Sequence, residues 1–160
     1  MNLAVSEAFD AHTESGLPTP EVLDEAVDAV VSKLAALRDA PVVDPTTAPA
    51  ILTGRAAAVF FHEVLGHRVE GHRQKDDDEG QTFTEKIGEP VLPSFISVHD
   101  DPTLVQLNNT DLNGHYTHDD EGVEAERVTI VENGFLRSFL TSRSPIEGFE
   151  RSNGHGRRQL

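Results

Sequence analysis

The chain has 160 residues, 37% of them hydrophobic, with eight phenylalanines, one tyrosine and no tryptophan, which is enough for a modest core of aliphatic side chains. A formal charge of −15 argues against direct binding to nucleic acid, whose phosphates demand a basic face. Without cysteine there are neither disulfides nor thiolate metal ligands, and no segment reaches the roughly 18 apolar residues that span a bilayer, so no membrane partner is expected.

Residues 1–18 are weakly patterned and read as a flexible or linker segment, or as the tail of something upstream. Their start lacks the basic and apolar regions of a signal peptide, so the expected location is cytoplasmic. Residues 19–160 read as a single domain. It opens with "TPEVLDEAVDAVVSKLAALRDA", an amphipathic helix. Thr19 suits the cap, Pro20 the first helical position, and Glu21, Asp24 and Glu25 the positive helix end. Val22, Leu23, Ala26, Val27, Val30, Leu34 and Leu37 form its apolar stripe, and Pro41 stops it.

"VVDPTTAPAILTG" is a Pro/Thr-rich connection with a short strand expected at its start. Thr53 or Gly54 then opens a second helix, expected from about Arg55 to Glu70 and ended by Gly71. Its apolar residues lie nearly all round, which predicts burial on several sides. The following "RQKDDDEGQTFTEKIGEP" is an exposed loop, and its Asp76-Asp77-Asp78-Glu79 run reads as a solvated turn more readily than as a cation cage.

From residue 91 the period changes to that of strands. "VLPSFISVHDD" predicts a strand with Pro93 at its edge or start. "ERVTIVENGFLRSFLTS" holds two β-rich runs joined through Asn133-Gly134, a dipeptide suited to the positive φ angles of a tight hairpin. Helices followed by an antiparallel β-rich region make the fold class α+β.

The chemistry concentrates in "AAAVFFHEVLGHRVEGH", residues 56–72. Neutral imidazoles such as His62 and His67 suit zinc, which acidifies bound water. A carboxylate beside the first of them, Glu63, can take a proton from that water and later deliver it to a leaving amine. In the HExxH pattern the two histidines stand four residues apart, about 40° round an ideal helix. Here they stand five apart, about 140° round, so one ion is gripped only if a π-type turn or a break near Gly66 brings His67 round. Histidines of a core and a helix-surface glutamate are the alternative reading of the same residues.

Several ordered blocks resemble the TldD/PmbA family of metallopeptidases, also called the modulator of DNA gyrase family. "AAAVFFHEVLGHRVEG" resembles its HExxxH helix and "GEPVLPSFISVHDDPTL" the strand that follows. "HDDEGVEAERVTIVENGFLRSFLTSR" resembles its DDEG segment and hairpin, and "SNGHGRR" a short Gly-Arg element; together they span roughly residues 40–158. The resemblance implies zinc-dependent cleavage of peptides or unstructured protein segments, with His62 and His67 as ligands and Glu63 as the catalytic base. It further implies a homo- or hetero-dimer with a family member. It also implies a third, cysteine ligand and an N-terminal domain; with neither in evidence, the chain reads as a fragment or shortened member. The rival reading is a non-catalytic binding or assembly module that keeps the fold. Nothing in these residues reads as a contact with a topoisomerase or with DNA.

Other residues carry weaker signals. His72 stands where the resemblance leads one to expect an acidic residue, and reads as an exposed histidine or a substitute ligand. His115 and His118 could reach one ion from a loop, though the resemblance assigns that segment to the substrate groove. Asp119, Asp120, Glu121 and Gly122 read as a turn. Glu70 could support a ligand histidine. Arg157 and Arg158 could anchor a substrate carboxylate or carbonyl, or simply be exposed.

Overall fold

A computed structural model of the chain describes residues 3–11, 13–75, 81–108 and 110–157, so the Asp76–Glu79 run and Arg158 lie outside the described residues. Contacts divide the chain into two compact units, residues 1–50 and 51–160. Among the described residues no helix is long and apolar enough to cross a membrane.

The first unit is built around helix α1, Pro20–Asp39. Pro20 fills the first position, where its missing N–H costs nothing, and Thr19 before it is extended. Ala40 leaves the helix ahead of Pro41, as the pre-proline restriction demands. No residue of α1 is buried, and the stripe residues Val22, Leu23, Val27, Leu34 and Leu37 remain exposed. The short strand expected at Val42–Val43 is absent. Prolines at 41, 45 and 49 remove ladder donors from that stretch and favour an irregular path.

The second unit opens with helix α2, Gly54–Val64, which starts as expected but ends six residues before Glu70. Leu65, with φ −117° and ψ −50°, is stretched but still right-handed, Gly66–Arg68 form a 3-10 turn, and Val69, with φ −104° and ψ 3°, leaves the helical path. The cause is tertiary. Leu65 and Val69 are drawn into the core, and Glu70 pairs with Leu140 in an isolated parallel bridge that a continuing helix would forbid. The expected burial of α2 on several sides is also corrected. None of its residues is buried, and Val59, Phe60, Phe61 and Val64 are exposed, because the core closes over the turn after α2 rather than over α2 itself.

Three antiparallel strands support that turn: β1 (Val98–Asp100), β4 (Val128–Glu132) and β5 (Phe135–Leu136), in the order β1-β4-β5. Strands β2 (Gln106–Leu107) and β3 (Thr110–Asp111) form a separate two-stranded ladder that the sequence pattern did not suggest. Val128, Ile130 and Val131 of β4 are buried with Leu136 and Phe139, and Leu65 and Val69 complete the cluster. Burying a side chain of this size contributes about 1.5–3 kcal/mol.

The hairpin falls at Asn133-Gly134 as the dipeptide predicts, with both residues at positive φ, 51° and 86°. A Cβ on Gly134 would collide with the Leu92 carbonyl oxygen, because residues 91–96 wrap the hairpin tip. Gly134 accepts from Val91 N and Leu92 N and donates to Ile96 O. That wrapping corrects the strand expected from residue 91. The backbone there is spent on the turn, β1 begins only at Val98, and Pro93 accepts from Ile96 N inside the turn instead of lying on a sheet edge.

The C-terminal segment is held by polar side chains. Asn153 accepts from Thr141 N through Oδ1 and donates to Phe139 O through Nδ2. The His155 side chain, 5% exposed, faces Asn153 O and Oδ1 at Nδ1 and Asp100 Oδ1 at Nε2. Tyr116 donates to Gly154 O beneath the Arg157 guanidinium, 4.6 Å from the ring centroid.

Burial first, then the Asp100 charge, pushes the Tyr116 phenol up to about 12. Stability from the neutral phenol is therefore complete below the ordinary value of about 10 and is lost as pH rises towards the folded value. Tyr116 is the only tyrosine, so phenolate absorbance reads it alone. The expected midpoint lies near 12 in the folded chain and about 10 in denaturant; equal midpoints would remove this account of its burial.

Candidate metal centre

His62 and Glu63 occupy the last turn of α2, and His67 lies in the 3-10 turn that follows. Of the two distortions that five-residue spacing allows, the chain adopts the break. Across it the His62 and His67 rings approach with centroids 4.4 Å apart and planes at 71°. Potential ligand atoms of His62, Glu63 and His67 all lie within 4.8 Å of one another. His67 Nε2 is 4.0 Å from Glu63 Oε2, and the Glu63 side chain is 64% exposed, so the cluster opens to solvent.

Gly66 does not impose this geometry. Its φ is not positive, and an added Cβ would meet His62 Nδ1 and Phe61 O at an ordinary 3.8 Å. The constraint comes from beyond His67. Leu140 N donates to Val69 O at 2.8 Å, and Gly71 N donates to Leu140 O at 2.7 Å. A Cβ on Gly71 would lie 2.7 Å from that same Leu140 oxygen, so glycine is needed for the close approach.

Glu70 is brought inward by the same pairing. Its Oε1 accepts from His67 Nδ1 at 2.8 Å and its Oε2 from Arg73 Nε at 2.5 Å. Burial pushes the carboxyl up, but the Arg73 and His67 hydrogen bonds and charges outweigh it, and the net effect holds Glu70 below the usual range. The Glu70–Arg73 pair has helical i,i+3 spacing, the signal that would have revealed Arg73 in the sequence.

The remaining candidates sit elsewhere. His72, 65% exposed, lies 3.6 Å from Glu70 Oε2 and outside the His62–Glu63–His67 group. His115 donates through Nδ1 to Leu112 O, while His118 contacts Thr117 Oγ1; neither belongs to a metal-type cluster among the described residues. Asp119, 6% exposed, is the centre of a turn and accepts from Glu121 N, Val123 N and Gly156 N. Arg157 is engaged with the Tyr116 ring and lies 3.8 Å from Asp120.

The model of the PmbA/TldA metallopeptidase C-terminal domain matches residues 45–160. The chain belongs to the PmbA/TldD metallopeptidase family. A metalloprotease of Archaeoglobus fulgidus is 33% identical to this family member over 160 residues, 99% of this chain and 33% of that protein. A zinc metalloprotease TldD homolog of Saccharolobus solfataricus is 30% identical over 95 residues, 59% of this chain and 20% of its own length. A Thermotoga maritima crystal structure, described as a modulator of a DNA gyrase, superposes with a TM-score of 0.62. It is 22% identical, with 87% of this chain and 31% of that one covered, and shows the shared α+β fold. The TldD-family chain thus spans a third or less of the length of these relatives.

The two glycines are expected to behave oppositely. Gly71→Ala should cost about 1–3 kcal/mol in urea unfolding, since backbone must move from the Leu140 carbonyl. Gly66→Ala should be neutral to about 0.5 kcal/mol. The reverse order would show that Gly66 sets the break.

Proposed function

We propose that this chain carries the metal-binding and proton-transfer residues of a TldD-type zinc peptidase acting on peptides or unstructured protein segments. The observation behind this reading is the convergence of His62 and His67 across the helix break with Glu63 alongside. Imidazole nitrogens are ligands that zinc accepts, and a carboxylate that stays off the ion beside them is free to move protons. Zinc, when bound, supplies a Lewis acid that lowers the pKa of water and polarises a carbonyl.

The chain's own residues then have distinct tasks. His62 and His67 would hold the ion through ring nitrogens. Glu63 receives a proton on a carboxylate oxygen and returns it to the departing amine nitrogen. Its exposure leaves room for a substrate to approach that carboxylate. The cysteine that the resemblance implies as third ligand is not among the 160 residues. Assembly with a second family member, homo- or hetero-dimeric, is part of this reading.

A second reading, a non-catalytic binding or assembly module, is favoured by the exposed Phe60, Phe61 and Val64 of α2, which fall within about 100° of one another round the helix and suit another protein surface.

Metal analysis separates the two. The purified chain, reloaded with zinc, is expected to retain one ion per chain and to lose it in His62→Ala or His67→Ala. Glu63→Gln should keep the ion while peptide hydrolysis falls by about 10²–10⁴-fold. A wild-type chain that takes up no zinc favours the module, and hydrolysis unchanged in Glu63→Gln removes Glu63 as the base.

A further inference from the structure

We infer that Glu70 is a positioning residue that selects the Nδ1–H tautomer of His67 and so keeps Nε2 free to serve as the ligand atom. This rests on the zinc-site reading above and names a residue that acts through a ligand without touching the ion.

A neutral imidazole carries its proton on one nitrogen, and the hydrogen bond made there decides which nitrogen remains available. The partner of His67 Nδ1 is Glu70 Oε1, 2.8 Å away. An ionised carboxylate only accepts, so Nδ1 must donate and the lone pair resides on Nε2. Nε2 is the nitrogen on the Glu63 side, 4.0 Å from Glu63 Oε2. The tautomer thus leaves the basic nitrogen facing the cluster.

Glu70 is itself held at three points, one on its carboxylate and two on its backbone. Arg73 Nε donates to its second oxygen, and Gln74 Nε2 donates to its backbone carbonyl at 3.2 Å. The parallel bridge to Leu140, flanked by the Val69 O and Gly71 N hydrogen bonds, fixes its Cα against the sheet unit. The Glu70 side chain is 21% exposed and that of His67 27%, so their hydrogen bond is partly shielded from water. A glutamate in the open, on a mobile side chain, would select no tautomer. Here the ring is oriented from the core outward, through Leu140, Glu70 and His67 in turn.

Carboxylate partners of ligand histidines typically account for about 10–100-fold in metal affinity. Glu70→Ala in the full chain should therefore weaken zinc binding by about that factor, measured by competition with a chromophoric chelator. Glu70→Gln keeps an acceptor oxygen at the same reach and should lose less. The tautomer is read separately, by long-range ¹H–¹⁵N correlation on the metal-free wild-type chain above the pH at which His67 is protonated. The expected spectrum has the proton on Nδ1, shifting towards Nε2–H in Glu70→Ala. Circular dichroism confirms that each variant is folded. Nε2–H in the wild type, or zinc affinity unchanged in a folded Glu70→Ala, overturns the role of Glu70 while leaving the metal site intact. Failure of the wild-type chain to bind zinc, with the Nδ1–H tautomer present, overturns the metal-site reading and the positioning role that depends on it.

Discussion

Two backbone hydrogen bonds, from Leu140 N–H to Val69 C=O and from Gly71 N–H to Leu140 C=O, tie the segment after α2 to the end of the β-rich region. They draw the chain out of its helical path once Leu65 has turned into the core, and thereby set where His67 stands. A helix continuing to Glu70 would keep those backbone groups for itself and carry the His67 ring about 140° round from His62. The two apolar side chains that flank the turn, Leu65 and Val69, are 5% and 3% exposed, so hydrophobic burial and backbone pairing favour the same geometry.

The arrangement separates a rigid base from an open site. Val131 and Leu136 are completely buried in the sheet, and Phe139 packs edge-on against Phe149 with centroids 5.7 Å apart. Above that base stand His62, Glu63 and His67, intermediate to exposed. Glu70 joins the two levels. It is part-buried, and it is stabilised as a carboxylate by Arg73 and His67 despite the cost of desolvation.

An excess of acidic residues does not leave the carboxylates equivalent. Asp119 is buried, and although burial opposes its charge, three backbone N–H donors and His155 hold its carboxyl below the usual range. Asp100 meets His155, and Asp120 lies beside Arg157. The segment 152–157 is thus secured by polar contacts with Asp100, Tyr116, Asp119, Phe139 and Thr141. Its resemblance to a family Gly-Arg element fits this structural use, with Arg157 turned to the Tyr116 ring.

Local chemistry made several features legible in the sequence. Pro20 and Pro41 bracket α1, and Asn133-Gly134 specifies its hairpin because few other residues tolerate positive φ at both positions. The His-Glu-xxx-His spacing announced that a regular helix could not serve, and ordered family blocks pointed to the α+β fold. The end of α2, the wrapping of residues 91–96 about the hairpin tip and the inward turn of Glu70 were not legible. Each is decided by a partner far along the chain: Leu140 for the first and third, Gly134 for the second. Sequence by itself determined which residues could do chemistry and where the backbone could bend. Tertiary structure decided which bend was taken, because backbone groups of Val69 and Gly71 gain more from Leu140, with Leu65 and Val69 buried, than from another turn of helix.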